Sequence, residues 1–210
     1  MKIDGSIRIE GDGEVYPPSE DTYLLIESLE VRPGESVLEI GCGSGIVSIH
    51  CAKRGAAVTC GDVNPRAVAL AARNAEANGA SVRAVETDVF SNVEGSFDLI
   101  IFNLPYLPVE EEGLLARSWS GGADGAGPLP ALLEGAPSRL RPGGRLAIVV
   151  SSLMDGGRLG SLLSGWDAKV LSEARFFFET VSVLELRPRT GSCRSPPTGA
   201  RSPSSRLSSL

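Results

Sequence analysis

The chain has 210 residues, enough for one domain with a full core. Hydrophobic residues make up 42% and charged residues 22%, with no apolar run near the roughly 18 residues of a bilayer span and no basic-then-apolar leader, so a membrane helix is excluded and a cytoplasmic protein expected. Net charge is −6, but residues 187–210 hold five arginines and no acid, leaving 15 basic against 26 acidic side chains in residues 1–186; so acidic a body argues against gripping nucleic acid, which needs a basic face.

Short β-like runs alternate with helical ones, the pattern of a mostly parallel sheet wrapped by helices. Pro17 and Pro18 precede a helix from about Glu20 to Leu29, with Ser19 as N-cap and Glu20 and Asp21 favouring its positive end. "SVLEI" reads as the first strand, followed by "GCGSG" and a helix over Ile46 to Lys53. "AVTCG" is the second strand; Asn64 caps a helix that Pro65 opens and Gly79 stops. "VRAVE" and "FDLIIF" give the third and fourth strands.

After a long loop come a helix from about Ala131 to Arg139, a "RPGG" turn, and "RLAIVV" as the fifth strand. A helix near Arg158 to Leu163, a strand near Lys169 to Leu171 and a last strand "TVSVLEL" complete the body. The expectation is an α/β domain over residues 1–186 with a seven-stranded Rossmann-like sheet closed by an antiparallel hairpin. Residues 187–210, rich in serine, arginine and proline, have almost nothing to bury and read as a disordered tail.

Cys42, Cys51, Cys60 and Cys193 lie too far apart for a CxxC knuckle and His50 is the only histidine, so no metal site is expected. The first three fall in or beside apolar runs and read as small buried hydrophobes, which suits a reducing compartment.

The loop "LEIGCGSGIV" places Gly41, Gly43 and Gly45 as G-x-G-x-G with Ile46 next, which weakens a dinucleotide reading. Glu39 before the first glycine would repel a pyrophosphate and attract an ammonium. S-adenosylmethionine carries an ammonium and a sulfonium and no phosphate. Asp62, ending the second strand, is placed for ribose hydroxyls; in "TDVF", Asp88 is placed for the adenine amino group and the Val89 backbone for its ring. Each of these alone is more often an ordinary turn or cap; their joint order on consecutive strand ends is what points to a cofactor.

The fourth strand stops on "NLPY". A planar amino group is a weak nucleophile because its lone pair is conjugated, so it must be held and aimed. The Asn103 side-chain oxygen and the Leu104 carbonyl can each accept one of its N–H groups. Pro105 fixes the direction of that carbonyl, and Tyr106 can pack on the substrate plane. The gain is orientation.

These residues resemble the class I S-adenosylmethionine-dependent methyltransferases, and "NLPY" is similar to the (N/D)PPY motif of those that methylate planar amino groups, with Leu104 replacing the first proline. "EVYPPSEDTYLL", "LEIGCGSGIVS", "DVNPRA", "FNLPYLP" and "WSGGADG" together resemble the archaeal and eukaryotic release-factor glutamine methyltransferases of the HemK-related group. That resemblance implies N5-methylation of the glutamine in the Gly-Gly-Gln loop of a class I release factor, and a small zinc-binding activator subunit of the Trm type forming a heterodimer. It also implies that Thr22 touches the cofactor beside Glu39, Gly41, Gly43, Asp62, Asp88, Val89 and Asn103, with Tyr16 over the site, and that the activator adds a strand to the sheet edge. Where the family has arginine and asparagine after its paired glycines, this chain has Ala123 and Asp124. Trp119 reads equally as a core anchor or a substrate wall. The competing readings are a nucleobase methyltransferase acting on N6 of adenine or N2 of guanine in RNA or DNA, which would need the base flipped or single-stranded, and a non-catalytic scaffold of the same fold.

Overall fold

The computed structural model describes residues 1–113 and 115–189. In chain order these form α1 (Glu20–Ser28), β1 (Ser36–Ile40), α2 (Ile46–Lys53), β2 (Ala57–Asp62), α3 (Pro65–Ala77), β3 (Val82–Glu86), β4 (Phe97–Asn103), α4 (Leu129–Arg139), β5 (Leu140–Ser151), α5 (Gly156–Leu162), β6 (Trp166–Arg175) and β7 (Thr180–Pro188), with single 3₁₀ turns at Ala116–Ser118 and Leu163–Gly165. They build one seven-stranded sheet in the order β3-β2-β1-β4-β5-β7-β6. The first five strands are parallel where they pair, and β7 runs antiparallel to both β5 and β6.

Alternation along the central strands sorts their side chains between two cores. Leu38, Ile40, Ile100, Phe102, Leu146 and Ile148 pack with Leu129, Leu132 and Ala136 of α4. On the opposite face Val37, Leu99, Ile101, Ala147 and Val149 pack with Leu25 and Ile26 of α1 and with Val47 and Cys51 of α2. Because β4 is covered on both faces, "LIIF" is an unbroken apolar run rather than an alternating one. Cys42, Cys51 and Cys60 are buried free thiols, and Cys193 lies outside the described residues.

Two strands, β5 and β6, differ from the sequence reading by more than two residues. The "RPGG" turn falls inside β5: Leu140 pairs with Phe97, the pairing resumes at Arg145 with Leu99, and the residues between bulge out of register. Helix α4 therefore feeds straight into the sheet, and the glycines serve a strand irregularity. The sixth strand is longer than Lys169–Leu171 because an edge strand facing solvent on one side carries little apolar signal. Strand β7 continues through Pro188, and residues 190–210, most of the expected tail, lie outside the described residues. Among the described residues no helix is long and apolar enough to cross a membrane.

The sequence reading leaves residues 1–13 without a role, and here residues 1–18 form an extended strap. Asn78 exchanges hydrogen bonds with the Arg8 backbone, its Oδ1 accepting at 2.9 Å and its Nδ2 donating at 2.7 Å. Asn74 accepts from Glu10 N at 2.9 Å and donates to Ser44 O at 2.9 Å, and Asn64 Nδ2 donates to Glu14 O at 2.8 Å. Three asparagines at α3 thus satisfy strap groups that would otherwise compete with water. The strap then delivers Tyr16, Pro17 and Pro18 to the carboxyl ends of the strands.

Candidate active site

A cleft of about 280 Å³ opens at the carboxyl ends of β1, β2, β3 and β4, the position open α/β sheets give their ligands. The structure brings Tyr16, Thr22, Glu39, Gly41, Gly43, Asp62, Asp88, Val89, Asn103 and Pro105 together on its walls. Residues 16 and 103 are distant in sequence; their strand and strap ends make them neighbours.

Gly41 (φ +66°), Gly43 (φ +51°) and Gly45 (φ +81°) all occupy the left-handed region that glycine alone enters without strain. Each also answers a local demand. A Cβ on Gly41 would meet the Phe102 ring at 2.8 Å, and one on Gly45 would meet Ala71 Cβ at 2.9 Å, where α2 crosses α3. Gly43 N donates to Asp62 Oδ2 at 3.0 Å and Asn64 N to Oδ1 at 2.9 Å, so Asp62 ties the loop to the end of β2. Burial pushes its carboxyl above the usual range, against these backbone donors.

Glu39 is 3% exposed, and its Oε2 accepts from Ser48 N at 2.9 Å and from Ser48 Oγ. Oε1 has no partner among the described residues. Burial, reinforced by nearby Asp62, raises the carboxyl to about 8. Val89, following β3, holds φ +49°, the one non-glycine residue in that region among those described. For a β-branched side chain this is a strained conformation, and it falls on a wall of the cleft.

At the end of β4, Asn103 Nδ2 donates to Asp21 Oδ2 at 3.2 Å. Its Oδ1 is buried and, among the described side chains, is the one such polar atom without a partner. Leu104 is 2% exposed and belongs to the α4-side core, so the residue that departs from the motif's first proline anchors the turn by burial. Tyr106 stands beside the cleft rather than lining it: its ring packs against both cores and its hydroxyl donates to Asp21 Oδ2 at 3.3 Å. Burial, then the Asp21 charge, pushes its phenol well above the usual range.

The "WSGGADGAG" loop supports this turn from outside. Leu107 N donates to Trp119 O at 2.9 Å and Gly121 N to Leu107 O at 2.8 Å. A Cβ on Gly121 would meet Pro105 O at 2.7 Å and one on Gly125 would meet Tyr106 O at 2.6 Å, so these glycines let two stretches of backbone touch. Asp124 accepts from Ala126 N at 2.9 Å and pairs with Arg158 at 3.5 Å. Trp119 sits at the rim, its ring centroid 6.1 Å from that of Tyr16 and its Nε1 donating to Glu111. Two residues escaped the sequence reading: Asp21, taken there only as a helix-start acid, and Arg117, the only basic side chain lining the cleft among the described residues. An exposed loop arginine belongs to no pattern.

A mostly parallel sheet of this order, with a glycine loop after β1 and a planar amide at the end of β4, is that of a class I methyltransferase. The chain belongs to the methyltransferase small domain family, whose sequence model matches residues 19–164. It is 42% identical over 158 residues to a Methanocaldococcus jannaschii chain provisionally named a protein N5-glutamine methyltransferase, covering 73% of this chain and 80% of that one. It is 37% identical over 152 residues to the release factor glutamine methyltransferase of Cereibacter sphaeroides, covering 66% and 55%. The E. cuniculi Mtq2–Trm112 complex, described as responsible for methylating the translation termination factor eRF1, contains a chain of the same fold. That likeness has a TM-score of 0.66 at 23% identity and covers 83% of this chain and 99% of that one.

The protein is thus a methyltransferase whose methyl donor is S-adenosylmethionine, and its cleft fits that donor. Glu39, on the wall of the cleft, has an Oε1 that no described residue satisfies and that can accept from an ammonium. Gly41 and Gly43 line the cleft with backbone alone.

Proposed function

We propose that this enzyme methylates the side-chain nitrogen (N5) of the glutamine in the Gly-Gly-Gln loop of a class I release factor. The observation that carries this reading is the Asn103 amide, which lies on the wall of a cleft built for the methyl donor and holds a buried oxygen that no group among the described residues satisfies. A primary amide offers two N–H donors in one plane, which the Asn103 Oδ1 and the Leu104 carbonyl accept. Pro105 keeps that carbonyl aimed, and the glycines at 121 and 125 keep the turn in place. The two named glutamine methyltransferases among its relatives support the same class of substrate.

Thr22, Glu39, Gly41, Gly43, Asp62, Asp88 and Val89 hold the cofactor in this reading, with Tyr16 over the mouth and Asn103 reaching both cofactor and substrate. When bound, the cofactor supplies an electrophilic methyl group on a sulfonium. Asn103, Pro105 and Tyr106 supply orientation, worth on the order of several kcal/mol of barrier. No dedicated base is needed, since the nitrogen proton becomes acidic once a methyl is added and leaves to water. The enzyme acts in the cytoplasm, which the buried free thiols favour. It works with a small zinc-binding activator subunit, as the Mtq2–Trm112 pairing supports.

The test is mass spectrometry of intact and digested class I release factor incubated with the enzyme, S-adenosylmethionine and a candidate activator. One added methyl on the Gly-Gly-Gln glutamine is the expected result. An unmodified glutamine from an enzyme that binds its cofactor would reject the substrate.

A further inference from the structure

We infer that Asp21 is a positioning residue that decides which end of the Asn103 amide faces the substrate. Asp21 is 9% exposed and lies in the first turn of α1. Its Oδ1 accepts from Ser19 Oγ at 2.5 Å, Thr22 N at 2.6 Å and Thr22 Oγ1 at 3.3 Å. These donors and the positive helix end hold the carboxylate in one orientation. A helix-start acid needs nothing more.

Yet Oδ2 accepts from Asn103 Nδ2 at 3.2 Å and from Tyr106 OH at 3.3 Å, both more than 80 residues away. A carboxylate only accepts hydrogen bonds, so it admits the NH₂ end of the Asn103 amide and repels the oxygen end. The oxygen is turned the other way, where it is buried without a partner. An orphaned buried acceptor is costly, and a flipped amide would set that oxygen against a carboxylate. The same carboxylate oxygen fixes the Tyr106 ring and so the end of the turn. The reaction's acceptor atom is thereby chosen by a residue that touches neither substrate nor cofactor.

This inference rests on the glutamine reading above, and substitution separates the two. In Asp21→Asn the side-chain oxygen stays with Thr22 N, so an NH₂ replaces Oδ2 and the Asn103 amide flips, presenting a donor to the substrate. Turnover should fall by on the order of 100-fold, as when one preorganised polar contact is lost, while cofactor affinity measured by calorimetry falls by less than about tenfold, since the other residues of the cofactor cleft are untouched. The exchange variant Asp21→Asn/Asn103→Asp restores an acceptor on the substrate side, because the new carboxylate takes the NH₂ of residue 21 on one oxygen and offers the other. It should regain at least about tenfold over either single variant. A merely structural Asp21 would not be rescued this way.

Wild-type turnover in Asp21→Asn, or an exchange variant no better than Asn103→Asp, overturns the inference. The comparison of the exchange variant with Asn103→Asp decides the matter even if Asp21→Asn fails to fold. If the wild-type enzyme leaves the glutamine unmethylated, the substrate reading falls and side-chain amide NMR decides for Asp21. The Asn103 NH₂ signals, identified by their absence in Asn103→Ala, should shift and exchange faster in Asp21→Asn, and unchanged signals overturn the role.

Discussion

At the scale of single residues, Glu39 joins cofactor binding to acidity. Its carboxyl is raised to about 8 in the folded protein, chiefly by burial, so at neutral pH it holds a proton that an unfolded chain releases above roughly 4.3. The folded state then binds more protons than the unfolded state between these values, and stability falls as pH rises through that window. Glu39→Gln keeps an acceptor for Ser48 and removes the titration. Melting temperatures of the cofactor-free wild type should therefore drop relative to Glu39→Gln between pH 5 and pH 8.5, and parallel curves would contradict the assignment. Asn103 and Asp62 divide the labour differently. Asn103→Ala should lower kcat at least about 1000-fold with a far smaller loss of cofactor affinity, because it removes the substrate's acceptor while Thr22, Glu39, Asp62, Asp88 and Val89 still line the cofactor cleft. Asp62→Ala should weaken cofactor binding first, since one of its oxygens holds the glycine loop and the other the start of α3. Normal turnover in Asn103→Ala would refute the proposed chemistry.

At the scale of elements, the third glycine of the loop is a packing residue. Gly45 combines φ +81° with a Cβ position 2.9 Å from Ala71 Cβ and 3.0 Å from its Cα, so α2 and α3 could not both keep their places around an alanine. Gly79 is a built-in control: it has φ +59° at the end of α3 with nothing within 4 Å of its Cβ position. Gly79→Ala should cost only the conformational part, about 1 kcal/mol. Gly45→Ala should cost about 2–4 kcal/mol, adding overpacking to strain. Urea unfolding of both variants reads the difference, and equal losses would show that contact with α3 does not matter. The strap is the other element-scale feature. Its asparagine bonds carry Tyr16 to the cleft, which explains how a segment without helix or strand pattern reaches the site.

At the scale of the whole molecule, charge and topology limit what the cleft can serve. The chain is acidic overall, with a net charge of −6, and such a surface neutralises few phosphates and so gains little from counterion release. Fluorescence anisotropy with labelled RNA should give affinities weaker than about 10 µM at 0.15 M salt. Submicromolar binding that falls steeply with salt would instead favour a nucleobase as the methyl acceptor. The sheet order places four strand ends beside one another at one edge of the sheet. Residues from the strap, the glycine loop, β2, β3 and β4 therefore reach one volume without any one segment having to be long.

Much of this was legible in the chain itself. The alternation of β and α runs, Asn64 and Pro65 at the start of α3, and the strand-end series from Glu39 to Asn103 follow from local propensity and spacing, which neighbouring residues set. The long β6, the bulge inside β5 and the strap were not legible, because an edge strand half in water and a segment held by side-chain amides have no periodic apolar signature. Nor was Leu104 explained until it lay in the core. The direction of the Asn103 amide is the clearest case of what tertiary structure alone decides. Asp21 and Asn103 are 82 residues apart, and a hydrogen bond across that separation exists only after α1 has packed against the sheet that holds β4 and brought a carboxylate to the amide.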